Sequence, residues 1–101
     1  EKILEKKYTK WFDCDKINCE LTVRTRRSGD YMAVSQSGGH KKLTRCMIND
    51  KIPGELRGKL PLVVDGNEVL WIVGGRINER YKITSETGRV LEITYQGGNV
   101  Q

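Results

Sequence analysis

The run Leu62-Val63-Val64-Asp65-Gly66-Asn67-Glu68-Val69-Leu70-Trp71-Ile72-Val73 constrains this chain more than any other. Two β-rich stretches flank an Asp-Gly pair, the short-range signature of a β-hairpin. The second stretch is apolar on both of its faces. Such a strand needs cover on both sides, which places it at the centre of a closed or covered sheet. Gly74-Gly75 ends it.

The flanking segments read as shorter elements. Tyr8 to Cys14 carries Tyr, Thr, Trp and Phe and predicts a strand. Leu21 to Arg26 alternates, so Leu21, Val23 and Thr25 face one way and Arg24 and Arg26 are expected together on the other, exposed face. Ser28-Gly29-Asp30 predicts the turn that ends this strand. Ser35 to Gly39 is a loop of small residues. Leu43, Cys46 and Met47 share one helical face, which predicts a helix over 41–49. A brief second helix is expected from Ile52-Pro53, with Ile52, Leu56 and Leu60 as its buried stripe and Gly54 and Gly58 weakening it. Short strands are expected over 80–84 and 90–95. Trp11 and Trp71 fall in β patterns and read as core anchors. The expected fold is α+β and β-rich: a small, barrel-like antiparallel or mixed sheet with two short helices.

A chain of 101 residues makes one domain with one modest core. Residues 8–95 form that domain, 1–7 read as a linker or the end of an upstream helix, and 96–101 as a tail. The chain opens on Glu1 rather than Met, so we expect a piece of a longer protein. Its charged opening is no secretory signal, and no apolar run approaches the ~20 residues of a membrane span. We therefore expect no membrane partner. Cys14, Cys19 and Cys46 are too few, and odd in number, for a disulfide framework, which suits a reducing cytoplasm. With His40 they would make four zinc ligands by count. Their spacing is looser than a structural knuckle and Cys46 lies on an apolar helical face, so no metal is expected.

Charge gives the first functional signal. Between Thr22 and Arg45 lie Arg24, Arg26, Arg27, Lys41, Lys42 and Arg45 against one acid, Asp30. That window carries a net +5, equal to the formal charge of the whole chain. Segregated charge points to a polyanion, most often nucleic acid. Its alternative is a solvated basic face with no partner. In this reading the glycine loop delivers His40, Lys41 and Lys42 to a helix start, where lysines oppose the helix dipole unless an anion binds there. Arg76 and Arg80 follow the hairpin. They read either as an ion pair with Asp30 or Asp65 that fixes the hairpin end or as a further phosphate contact, and Arg76 is taken into the candidate set. Ser35-Gln36-Ser37-Gly38-Gly39-His40 superficially resembles an ATP-pyrophosphatase phosphate loop, but Lys41-Lys42 replace its Asp-Ser pair. With one histidine and no triad, nothing assembles a catalytic centre. Asp13 and Asp15 read as surface or turn residues. Two short helices before a hairpin also suggest a winged helix-turn-helix for DNA. A protein-interaction module without nucleic acid is a third reading.

Five motifs in order carry a family resemblance: Val23-Arg24-Thr25-Arg26-Arg27-Ser28-Gly29-Asp30, Gly38-Gly39-His40-Lys41-Lys42-Leu43, Asp50-Lys51-Ile52-Pro53, Leu60-Pro61-Leu62-Val63-Val64-Asp65 and Trp71-Ile72-Val73-Gly74-Gly75-Arg76-Ile77. Together they resemble the C-terminal domain of tRNA(Ile)-lysidine synthase, from about Tyr8 to Tyr95. Gly54, Gly58 and the cysteines depart from that pattern. The resemblance implies a small sheet domain similar to one in the phenylalanyl-tRNA synthetase β subunit. It implies a non-catalytic, cytoplasmic tRNA-binding domain that grips the acceptor stem of tRNA(Ile). A separate N-terminal ATP-pyrophosphatase domain would use ATP and Mg2+ to join lysine to the wobble cytidine, so this domain itself is expected to need no cofactor. Arg24, Arg26, Arg27, Lys41, Lys42, Arg45 and Arg76 are the expected RNA contacts. A homodimer stays open from sequence.

Overall fold

The computed structural model describes residues 8–17, 20–35 and 39–96. The expected segment 1–7, Cys19, part of the glycine loop and most of the tail lie outside the described residues. In chain order the elements are β1 (Thr9–Asp13), a 3-10 turn (Cys14–Lys16), β2 (Thr22–Arg24), β3 (Tyr31–Ala33), β4 (His40–Lys42), α1 (Leu43–Asn49) and α2 (Gly54–Arg57). They continue with β5 (Leu62–Asp65), β6 (Glu68–Ile72), a second 3-10 turn (Glu79–Tyr81) and β7 (Val90–Thr94).

The expected hairpin is β5 and β6, antiparallel and central in a five-stranded sheet of order β2-β5-β6-β3-β4. Its tight turn is Gly66-Asn67, and Gly66 takes φ +68°, where a side chain would strain the backbone. β3 lies parallel to β6 and antiparallel to β4, so the sheet is mixed. It does not close into a barrel: β2 and β4 are its edges. β1 and β7 form a separate antiparallel ribbon.

A bulge explains how one strand feeds two cores. Val63 pairs with Trp71 but Val64 with Val69, so Leu70 is the extra residue. Leu70 and Trp71 therefore pack into the same cluster, with Phe12, Val63, Val73 and Tyr81. Val69 and Ile72 serve the opposite cluster, with Met32, Leu43, Cys46, Met47, Leu62 and Val64. A bulge disturbs the ladder, and Asn78 satisfies the carbonyls beside it. Its backbone N–H donates to Leu70 O at 2.7 Å and its Nδ2 to Val69 O at 2.9 Å.

Several expectations are corrected. The helix expected over 41–49 begins at Leu43, and His40–Lys42 is a strand, because Tyr31–Ala33 forms an unforeseen partner strand beside it. The segment expected as a strand over 80–84 starts in a 3-10 turn instead, where Asn78 Oδ1 accepts from Arg80 N at 2.8 Å. α2 is a single turn. Ile52 and Leu60 pack on the core, but Leu56 is exposed, so the stripe is not continuous. Trp71 is fully buried, whereas Trp11 is 39% exposed, because the ribbon turns Phe12 inward and Trp11 out. Of the two readings for Asp13, turn residue holds and surface residue does not, since it is buried. It caps the first 3-10 turn and accepts from Thr87 Oγ1 at 3.0 Å.

A candidate nucleic-acid interface

The basic window folds around its one acid. Asp30 is buried, and four donors converge on its carboxylate. Arg24 Nη1 and Nη2 donate at 2.9 and 2.7 Å, the Arg27 N–H at 2.8 Å and Asn67 Nδ2 at 3.2 Å. Arg24 also reaches the hairpin turn at Gly66 O, 3.1 Å away. Burial alone would raise the Asp30 carboxyl. The hydrogen bonds from Arg24, Arg27 and Asn67, with the Arg24 charge, outweigh it and hold the carboxyl below its ordinary value. Gly29, at φ +91°, permits the tight return from Arg27 to Asp30. The loop bearing Arg26 and Arg27 is thus tied to the central hairpin.

Two open grooves adjoin there. The first, about 700 Å³, is lined by Arg26, Arg27, Asp30, Tyr31, Lys42 and Thr44 among others. The second, about 710 Å³, is lined by Lys41, Lys42, Thr44, Arg45, Ile48 and Asn49. They share Lys42 and Thr44, so five exposed cations line one continuous surface: Arg26, Arg27, Lys41, Lys42 and Arg45. Among the described residues, none of the five has a carboxylate within ion-pair distance. The helix start expected to hold an anion is instead the end of β4. Lys42 caps α1 without a side-chain bond, and Leu43 N–H already donates to Asp30 O at 2.9 Å.

Arg24 and Arg76 line neither groove. Arg24 faces inward because Asp30 draws it there. Arg76 binds Asp50 through two bonds, Nε at 2.8 Å and Nη2 at 2.6 Å, which ties the turn after β6 to the end of α1. Arg80 pairs with Glu68 at 2.9 Å. The ion pairs foreseen for Arg76 and Arg80 therefore exist, with Asp50 and Glu68 in place of Asp30 and Asp65. Sequence reasoning named Asp30 as the end of a turn and a possible partner of Arg76 or Arg80 but not as the anchor of Arg24, and it passed over Tyr31. Asp30 had a signal, as the lone acid in a basic window.

Among the described residues, no cluster of three or more His, Cys, Asp or Glu could hold a metal, and no helix could cross a membrane. α2, with four residues, is too short to fill a DNA major groove as a recognition helix.

Residues 21–93 match the family described as TilS substrate C-terminal domain. A tRNA(Ile)-lysidine synthase of Caldanaerobacter subterraneus subsp. tengcongensis is 43% identical over 88 residues, covering 87% of this chain and 19% of that protein. One of Clostridium tetani is 42% identical over 90 residues, covering 89% and 19%. A crystal structure of a TILS C-terminal domain superposes with a TM-score of 0.60 at 30% identity, covering 86% of this chain and 72% of the other. The chain thus spans about a fifth of the length of these curated relatives.

Proposed function

The chain belongs to the TilS substrate C-terminal domain family, and on that footing we propose that it grips the acceptor stem of tRNA(Ile) for a longer, cytoplasmic tRNA(Ile)-lysidine synthase. The observation that carries this reading is the surface of five exposed cations that have no acidic partner among the described residues. Duplex RNA is bound largely through shape, 2′-OH and phosphate contacts. Such contacts position a partner without reading its sequence. In this account Arg26, Arg27, Lys41, Lys42 and Arg45 take phosphates. Arg24 and Arg76, from the same expected set, act through the loops that they anchor.

Lysine transfer would belong to a catalytic domain elsewhere in the longer protein. That reaction's ATP and Mg2+ would be bound there, and the described residues of the basic surface do not suit the Mg2+. The one carboxylate on the basic surface already accepts four hydrogen bonds, which leaves no oxygen free for a hard cation. No step is assigned to them in this domain.

The test is binding of an acceptor-stem RNA duplex by fluorescence anisotropy at low salt. Arg26→Ala and Lys42→Ala should each weaken it about threefold to tenfold, as lost phosphate contacts do. Lys59→Ala, outside both grooves, should leave it unchanged. Equal binding by all three variants would contradict the assignment, and no binding by the parent chain would favour a protein-interaction module.

A further inference from the structure

We infer that Tyr31 and His40 form a stacking seat for an unpaired nucleotide at the end of the bound duplex, an inference that rests on the RNA-binding reading above. In the β3–β4 pair, Tyr31 lies opposite Lys42 and Ala33 opposite His40. The period of two puts these four residues on one face and turns Met32 into the helix-side core. Tyr31 and His40 are therefore diagonal neighbours. Their rings meet, with centroids 5.0 Å apart and planes inclined at 48°.

The placement of this pair differs from that of the core aromatics. Phe12, Trp71 and Tyr81 are fully buried. His40 is exposed on β4, which forms one edge of the sheet, and Tyr31 is half-buried on β3 beside it. Tyr31 also lines the first groove with Arg26, Arg27 and Lys42. Rings at the margin of a cationic groove can take a base face while the cations take the flanking phosphates. Bases within a duplex are stacked on one another and offer no free face. An unpaired nucleotide does. An acceptor stem is where paired RNA gives way to a single-stranded 3′ end, so the ligand is the first unpaired nucleotide beyond the stem.

The test uses this chain with two RNAs: a blunt duplex, and the same duplex with a three-nucleotide single-stranded 3′ tail. The tail should tighten binding about fivefold or more, the lower range for stacking one base on an aromatic ring. His40→Ala should lose most of that gain yet bind the blunt duplex within twofold of the parent chain, and Tyr31→Leu should lose most of the gain as well. His40 is exposed, so its variant keeps the test sound if Tyr31→Leu disturbs the sheet. A parent chain that binds both RNAs equally, or a tail gain that survives in His40→Ala, overturns the ring pair and leaves duplex binding standing. A chain that binds neither RNA overturns both.

Discussion

Asp30 gives the residue scale its sharpest consequence. It is the only acid in the basic window, and a purely Coulombic view would have it weaken the binding of a polyanion. Its four hydrogen bonds say the reverse, because they hold the loop that presents Arg26 and Arg27. Asp30→Asn adds one unit of positive charge, yet we expect it to weaken duplex RNA binding at least fivefold. It should also cost about 3 kcal/mol of stability, since it leaves the Arg24 charge buried without its partner. Anisotropy and urea unfolding check both, and tighter binding by Asp30→Asn would defeat the argument. The pH dependence has a definite sign. A carboxyl held below its ordinary value contributes fully above about pH 4 and loses that contribution as pH falls through the lowered value. The stability gap between parent and Asp30→Asn should therefore close in acid. From sequence, the acid stood out in a row of bases. Its partners were hidden, because Arg24 and Asn67 reach it only once β2 and the hairpin turn are side by side.

At the scale of elements, the end of α1 shows what local chemistry decides. Lys51 N–H donates to Ile48 O at 2.9 Å and Ile52 N–H to Met47 O at 3.0 Å, the paired bonds of a Schellman cap. That cap places Lys51 at φ +62°, where glycine is at ease and lysine is strained. It also turns Ile52 onto the core, so the helix stops before Pro53. Lys51→Gly should raise stability by about 0.5–1 kcal/mol in thermal unfolding. Lys51 lines neither basic groove, so RNA binding should not change. The hairpin was legible in sequence because its turn and both strands are contiguous. β3 was not legible, since three residues after a turn carry little periodic signal. Lys41 and Lys42 were read into the helix because they adjoin its apolar face. Only β3, pairing with them from nine to eleven residues away, makes them a strand.

The whole molecule is one sheet between two cores, with the helices over one face and the ribbon and 3-10 turn over the other. A buried polar knot closes the second core. The Tyr81 hydroxyl donates to Glu68 Oε1 at 3.0 Å, and Arg80 and Asn78 also donate to that carboxylate. Burial, then the Glu68 charge, pushes the Tyr81 hydroxyl well above its ordinary value. The unfolded tyrosine ionises near pH 10 while the folded one stays neutral, so stability should fall as pH rises beyond 10. Tyr81→Phe should flatten that alkaline loss in pH-dependent unfolding. Charge segregation was the one functional property readable from composition, and folding turned it into two grooves with a shared wall. It could not show that Arg24 and Arg76 turn away from that surface, because both choices depend on contacts made only in the fold, with Asp30 at 2.7 Å and Asp50 at 2.6 Å. The central claim is that five exposed cations bind the phosphates of an acceptor stem. Its most direct test is the salt dependence of that binding. With about 0.9 counterion released per duplex phosphate, five contacts give a slope of log K against log salt of about −4.5. The account predicts that slope, reduced by about one in Lys42→Ala, and a slope near zero, unmoved by that substitution, would contradict it.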